Sequence, residues 1–129
     1  LLGGTRLSAT LLPATVLANT TPDMPVSCAE VFAPVITVAP YSDFAEALAI
    51  ANNTDYGLQA GVFTQDIGRI WQAFHELEVG GVQINDVSTF RVDQMPYGGV
   101  KGSGFGREGV KYAIEEMTEP KLLVLNLNQ

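Results

Sequence analysis

The stretch Leu58-Gln-Ala-Gly-Val-Phe-Thr-Gln-Asp-Ile-Gly-Arg-Ile-Trp-Gln-Ala-Phe-His-Glu-Leu-Glu-Val-Gly-Gly-Val-Gln-Ile-Asn85 decides the fold. Residues 58–64 read as a strand. Asp66 is a helix-opening residue, because its carboxylate can accept from the first free amides. Behind it Ile67, Ile70, Trp71, Phe74 and Leu77 recur at helical spacing, and the apolar face they form predicts a core position for Trp71. Gly80-Gly81 stops the helix. Val82-Gln-Ile-Asn85 is again a strand, with Asn85 at its buried end. His75, on the same helix, is a surface or packing residue.

Upstream the same alternation appears. Residues 9–17 are apolar and β-branched but interrupted by Pro13, which suits an edge strand or an extended pair, since proline cannot donate to a ladder. Residues 19–25 are turn-rich. Residues 35–39 are a short buried strand. Ser42 is an N-cap candidate before the alanine-rich helix 44–52, which Asn53 and Gly57 close. Strand, helix, strand, helix, strand is the pattern of parallel βαβ units and predicts an α/β fold.

Downstream, Met95-Pro-Tyr-Gly-Gly-Val-Lys-Gly-Ser-Gly-Phe-Gly-Arg-Glu-Gly109 is too rich in glycine for a helix or strand and predicts a shaped loop. A helix follows over 108–117, and a final strand over 121–127 with Leu123, Leu125 and Leu127 alternating. Such a terminal strand can pair with a sheet outside its own core. Gly104-Phe-Gly-Arg-Glu-Gly109 matches G-x-G-x-x-G literally. A dinucleotide fingerprint, however, needs a strand before it and an acid about 20 residues after it, and this one has neither. Lys101 is followed by Gly102, so no Walker A loop exists either.

Composition narrows the function. The chain has 129 residues, 47% of them hydrophobic and 16% charged. That is enough apolar material for one domain and too little charge for disorder. The low charged fraction fits an apolar surface that meets another domain or subunit. A formal net charge of −7 with seven scattered Lys and Arg argues against nucleic acid. The single cysteine, Cys28, allows no internal disulfide and no multi-thiolate metal site, and it fits a reducing, cytoplasmic location. No apolar run reaches the roughly 18 residues a membrane span needs. Leu1-Leu-Gly-Gly-Thr has no initiator Met and no basic leader, and reads as the middle of a chain.

Four segments resemble, in order, motifs of the NAD(P)-dependent aldehyde dehydrogenase superfamily. Ala29-Glu-Val-Phe-Ala-Pro-Val35 is similar to its acidic-x-Phe-Gly-Pro-Val segment, with Ala33 in place of the glycine. Asn52-Asn-Thr-Asp-Tyr-Gly-Leu58 resembles its Asn-x-x-x-Tyr-Gly-Leu turn. Gly80-Gly-Val-Gln-Ile-Asn85 resembles its Gly-x-Val-x-x-Asn strand. Pro96-Tyr-Gly-Gly-Val-Lys-Gly-Ser-Gly104 resembles its Pro-Phe-Gly-Gly-x-Lys-x-Ser-Gly signature. Residues 91–116 look most like the lactaldehyde and glyceraldehyde-3-phosphate oxidising branches.

The resemblance implies that residues 1–119 are the C-terminal portion of a catalytic domain and residues 120–129 an oligomerisation strand, with a homo-oligomer as the assembly. It implies oxidation of an aldehyde to a carboxylic acid with NAD or NADP through a cysteine thiohemiacetal. By the same resemblance the nucleophile, the general-base glutamate and the Rossmann domain lie upstream of this chain, so no catalytic residue is expected in it. Cys28 falls outside the family's nucleophile motif.

Glu30 stands where the family carboxylate meets the nicotinamide ribose hydroxyls, and Phe32 where an aromatic packs near the nicotinamide ring. Phe90 and Tyr97 flank the loop that lines the substrate tunnel. Arg91 places a cation there, suited to a hydroxylated or anionic aldehyde. Gly98, Gly99, Lys101 and Ser103 read as architecture, and Arg107 and Glu108 as the start of the last helix, with Arg107 able to pair across the loop. Two function classes stand side by side: part of an oxidoreductase that is inactive alone, or a self-standing, non-catalytic α/β association module derived from one.

Overall fold

The computed structural model describes residues 2–127 and divides the chain into two compact units, Leu1–Asp55 and Tyr56–Gln129.

In the first unit, β1 (Thr15–Ala18) runs parallel to β2 (Val35–Val38), with Thr15 opposite Val35 and Ala18 opposite Val38. Pro13 confines the strand to the residues after it. Thr15 is buried because its hydroxyl is satisfied twice, donating to the Pro13 carbonyl and accepting from Gly4 N–H. The connection contains the single turn α1 (Pro25–Cys28), which has proline at its start, where a missing N–H costs nothing.

The next helix, α2 (Phe44–Asn52), is capped by Asp43, not by Ser42 as the sequence suggested. The Asp43 carboxylate accepts from Glu46 N–H at 2.9 Å, and the Glu46 carboxylate reaches back to Ser42 N–H at 2.6 Å. Acid at both ends of this reciprocal arrangement satisfies two free amides and suits the positive end of the helix. Asn53 closes α2 as expected, donating to Ala49 and Ile50 carbonyls.

The second unit holds β3 (Tyr56–Gly57), β4 (Gln59–Val62), α3 (Ile67–Glu76), β5 (Gly81–Ile84), β6 (Val100–Lys101) and α4 (Val110–Met117). β4 and β5 are parallel, with Gln59 opposite Gly81 and Val62 opposite Ile84, so the stretch from 58 to 85 forms the βαβ unit it predicted. Asp66 caps α3 through Gly68 and Arg69 N–H. Asn85 braces the strand end at φ 57°, its side-chain oxygen accepting from Thr64 N–H at 2.9 Å.

The parallel pairs are β1–β2 in the first unit and β4–β5 in the second. Several expectations are corrected here. The helix ends at Glu76, ahead of the Gly80-Gly81 stop, because Leu77 turns to extended geometry and buries its side chain. Gly80 answers a different need: a methyl group there would overlap the Gly98 carbonyl. Trp71 is not core. Ala73 and Leu77 are buried, whereas Ile67, Trp71 and Phe74 stand more than half exposed. Alanine lets the α3 backbone approach β5, and the large residues are left outside, with Trp71 edge-on to Phe74 and stacked near His75.

The glycine-rich loop contains β6, antiparallel to β3. The last helix starts at Val110, not at 108, because Gly109 takes φ 111° and breaks the helical path before it. Residues 121–127 carry no regular secondary structure, and Leu122, Leu123, Val124, Leu125 and Leu127 are all largely exposed. Among the described residues no strand pairs with them. Of the expected terminal segment, residues 128 and 129 lie outside the described residues.

Little apolar material is buried: among the described residues the buried apolar side chains are Leu48, Ala73 and Leu77. The accessible surface is 10140 Å². Two independent globular units of these lengths would together expose about 8,000 Å².

Candidate substrate site

The site lies in the second unit and grows from the glycine-rich loop. Tyr97 and Glu108 exchange both backbone hydrogen bonds, Tyr97 N–H to Glu108 O at 3.1 Å and Glu108 N–H to Tyr97 O at 2.6 Å. This bridge closes the loop at its base. Inside it, Ser103 Oγ accepts from Gly57 N–H at 2.9 Å, tying the loop to β3. Arg107 crosses the loop as anticipated, donating from Nη1 to the Gly99 and Gly106 carbonyls at 3.0 and 2.7 Å. Lys101 pairs with Glu78 at 2.5 Å. Lys101 and Ser103 thus do the architectural work the sequence assigned them.

Arg91 meets this closed loop from outside. Its Nη2 donates to the Glu108 carboxylate at 2.8 Å, and its guanidinium carbon lies 4.2 Å from the centre of the Tyr97 ring. The ring face is electron-rich and attracts the cation. Arg91 and Tyr97, with Leu58, Gln59, Ser88 and Thr89, line a cavity of about 360 Å³. That volume suits a small molecule of a few carbon atoms. Leu58 and Tyr97 also line a second cavity of about 400 Å³, together with Gly98, Gly99, Ser103, Arg107 and Glu108.

Of the three residues expected to meet substrate, the structure brings Arg91 and Tyr97 together. Phe90 is half-exposed in the turn closed by its N–H on the Val87 carbonyl, and is not among the residues lining the cavity. Glu30 and Phe32 lie in the first unit, between α1 and β2, and both are exposed, Phe32 at 93%. Cys28, the last residue of α1, is exposed. Among the described residues no group of three or more His, Cys, Asp or Glu side chains gathers to hold a metal ion, and no helix is long and apolar enough to cross a membrane.

Sequence reasoning missed Glu108, which was read as the first residue of a helix. The signal was the glycine after it: a left-handed residue there keeps Glu108 out of the helix and free to turn toward Arg91. It also missed the polar pair Ser88-Thr89, which stands just before Phe90.

The sequence profile described as "Aldehyde dehydrogenase family" matches residues 1–123. The chain belongs to the aldehyde dehydrogenase family. It is 54% identical over 126 residues to the 3-sulfolactaldehyde dehydrogenase of Priestia aryabhattai, which covers 98% of this chain and 26% of that protein. It is 48% identical over 126 residues to the lactaldehyde dehydrogenase of Methanococcus maripaludis, covering 98% of this chain and 27% of the other.

Among solved structures, aldehyde dehydrogenase 21 of Physcomitrella patens in complex with the reaction product succinate superposes with a TM-score of 0.91. The two are 46% identical, over 95% of this chain and 25% of that one. Glyceraldehyde-3-phosphate dehydrogenase GapN of Methanocaldococcus jannaschii complexed with NADP gives a TM-score of 0.82 and 49% identity, over 91% and 25% of the two chains. The chain thus spans about a quarter of the length of the relatives it matches.

Proposed function

We propose that this chain is the C-terminal portion of an enzyme that oxidises a small anionic or hydroxylated aldehyde to its carboxylic acid with NAD or NADP. Residues 1–119 complete the catalytic domain, and residues 120–129 form a strand that joins a neighbouring subunit of a homo-oligomer in the cytoplasm. The thiolate that attacks the aldehyde carbon, the general base and the dinucleotide-binding domain come from chain outside these residues, so the isolated piece is inactive. The exposed apolar side chains at 122–127 and the few buried apolar residues support a part that completes itself against more protein. They weigh against a self-standing association module.

When bound, the nicotinamide supplies the acceptor for the two electrons that leave the aldehyde carbon. This chain's own residues fit such a group. Glu30 presents an exposed, acceptor-only carboxylate suited to the two hydroxyl donors of a ribose. Phe32 presents an open ring face. Tyr97 and Leu58 supply apolar wall for the carbon chain. Phe90 extends the apolar approach. Ser88 and Thr89 offer hydroxyls to a hydroxylated substrate.

The observation that carries the substrate class is Arg91, a cation held against the Tyr97 ring in a small cavity. Three of the similar proteins are named for, or bound to, a compound bearing a sulfonate, phosphate or carboxylate. The test is Arg91→Ala in the full-length dehydrogenase carrying this segment. KM for an anionic aldehyde should rise about tenfold or more relative to a neutral aldehyde of equal length, the amount expected of one charge-assisted contact. Unchanged preference between the two substrates removes the anionic class.

A further inference from the structure

We propose that Glu108 is a positioning residue for Arg91: its carboxylate holds the guanidinium edge-on to the cavity, so that the free donors of the cation face an anionic substrate. The inference rests on the reading of Arg91 as the anion-binding residue and adds to it the group that sets its geometry.

Glu108 is placed by backbone, independently of its side chain. Both of its main-chain groups are bonded to Tyr97, and Gly109 at φ 111° keeps it out of α4. The side chain therefore projects from a fixed point beside the ring that Arg91 covers. Arg91 is held from two directions, by the Tyr97 face beneath it and by the Glu108 carboxylate at Nη2. Its Nε and Nη1 donate no hydrogen bond among the described residues. Nε and Nη1 stand on the two edges that flank Nη2, and each leaves a donor for a ligand.

The pair is open to solvent, with side-chain exposures of 41% for Arg91 and 65% for Glu108, so as a stability element it is worth little. Its value is order. A free arginine carries rotamer entropy that a ligand must otherwise remove on binding, and a pinned one does not.

The test uses the full-length dehydrogenase carrying this segment, with succinic semialdehyde as the anionic probe and butanal as its neutral four-carbon counterpart. Glu108→Ala should raise KM for succinic semialdehyde about fivefold, leave KM for butanal unchanged, and leave kcat for both within about twofold. Glu108→Gln, which keeps an acceptor for Nη2, should recover most of the loss. The Tyr97–Glu108 backbone bridge does not need the carboxylate, and an unchanged melting temperature verifies that the loop persists.

The proposal is overturned if Glu108→Ala lowers KM for the semialdehyde, because the carboxylate then competes with substrate. It is equally overturned if both substrates suffer alike, because the effect is then structural. Arg91→Ala separates the two levels: if it abolishes the preference while Glu108→Ala leaves it intact, the anion-binding reading stands and the positioning role falls. If Arg91→Ala has no effect on preference, both fall.

Discussion

The segment bearing Glu30 and Phe32 and the loop bearing Arg91 and Tyr97 are organised differently. The first is tied to β1 only at its end, by Thr15 N–H to the Pro34 carbonyl; the bonds nearer Phe32 join residues two apart, Ala33 N–H to Val31 O and Val35 N–H to Ala33 O, and Phe32 is left almost wholly exposed. The second is tied by partners far apart in sequence: Tyr97 to Glu108, Gly57 to Ser103, Arg91 to Glu108. Long-range bonds fix a loop's shape before any ligand arrives, whereas short-range ones shape only the residues they span. The loop bearing Arg91 and Tyr97 is therefore preorganised, whereas Phe32 and Glu30 stand exposed ahead of the one long-range tie.

The largest way to break this contrast is to damage the loop's foundation. Gly80 lies against the Gly98 carbonyl so closely that a methyl group has no room, and the atom it would meet is backbone, which cannot rotate away. Gly80→Ala should cost about 3 kcal/mol or more, as overpacking against a rigid neighbour does. The readout is a thermal melt of the full-length protein, with a fall of several degrees and a matching loss of soluble yield. An unchanged melting temperature would mean the loop is not anchored to the start of β5, and the claim of preorganisation would go with it.

What could be read in the sequence divides along the same line. The βαβ unit from 58 to 85 was legible because Asp66 and the helical periodicity are local signals, and the structure keeps both. The four motifs were legible as a set, and the family follows from them. The outer face of α3 was misread because periodicity reports that a helix is amphipathic but not which apolar residues face inward. Ala73, which the pattern did not single out, is buried with Leu77, and Trp71 is left outside. The Arg91–Glu108 pair was illegible because it spans 17 positions and depends on the backbone angle of a glycine. The alternating leucines of 121–127 predict a strand, and those residues carry no regular secondary structure.

A smaller effect tests the other side of the comparison. If the Glu30 segment gains its order from the dinucleotide, Glu30→Ala should raise KM for NAD(P)+ about tenfold, roughly 1.4 kcal/mol, through loss of charge-assisted hydrogen bonds. KM for the aldehyde and the melting temperature without cofactor should stay as they were. Glu30→Gln should fall between, since an amide oxygen still accepts but carries no charge. A drop in stability without cofactor would show that Glu30 already has a structural partner, and the two regions would then be organised alike.

The smallest expected effect is on Trp71, and it separates two meanings of an exposed tryptophan. A tryptophan packed in a core costs about 3–5 kcal/mol when cut to a small residue, because both its buried area and its cavity are lost. Trp71 is 56% exposed, and its ring contacts are Phe74 and His75 of its own helix. Trp71→Ser should therefore change stability by less than about 0.5 kcal/mol, a shift in melting temperature near the error of the measurement. A loss of several kcal/mol in the full-length enzyme would mean that the stripe of Ile67, Trp71 and Phe74 is covered there. The second unit would then be a part shaped by its neighbours.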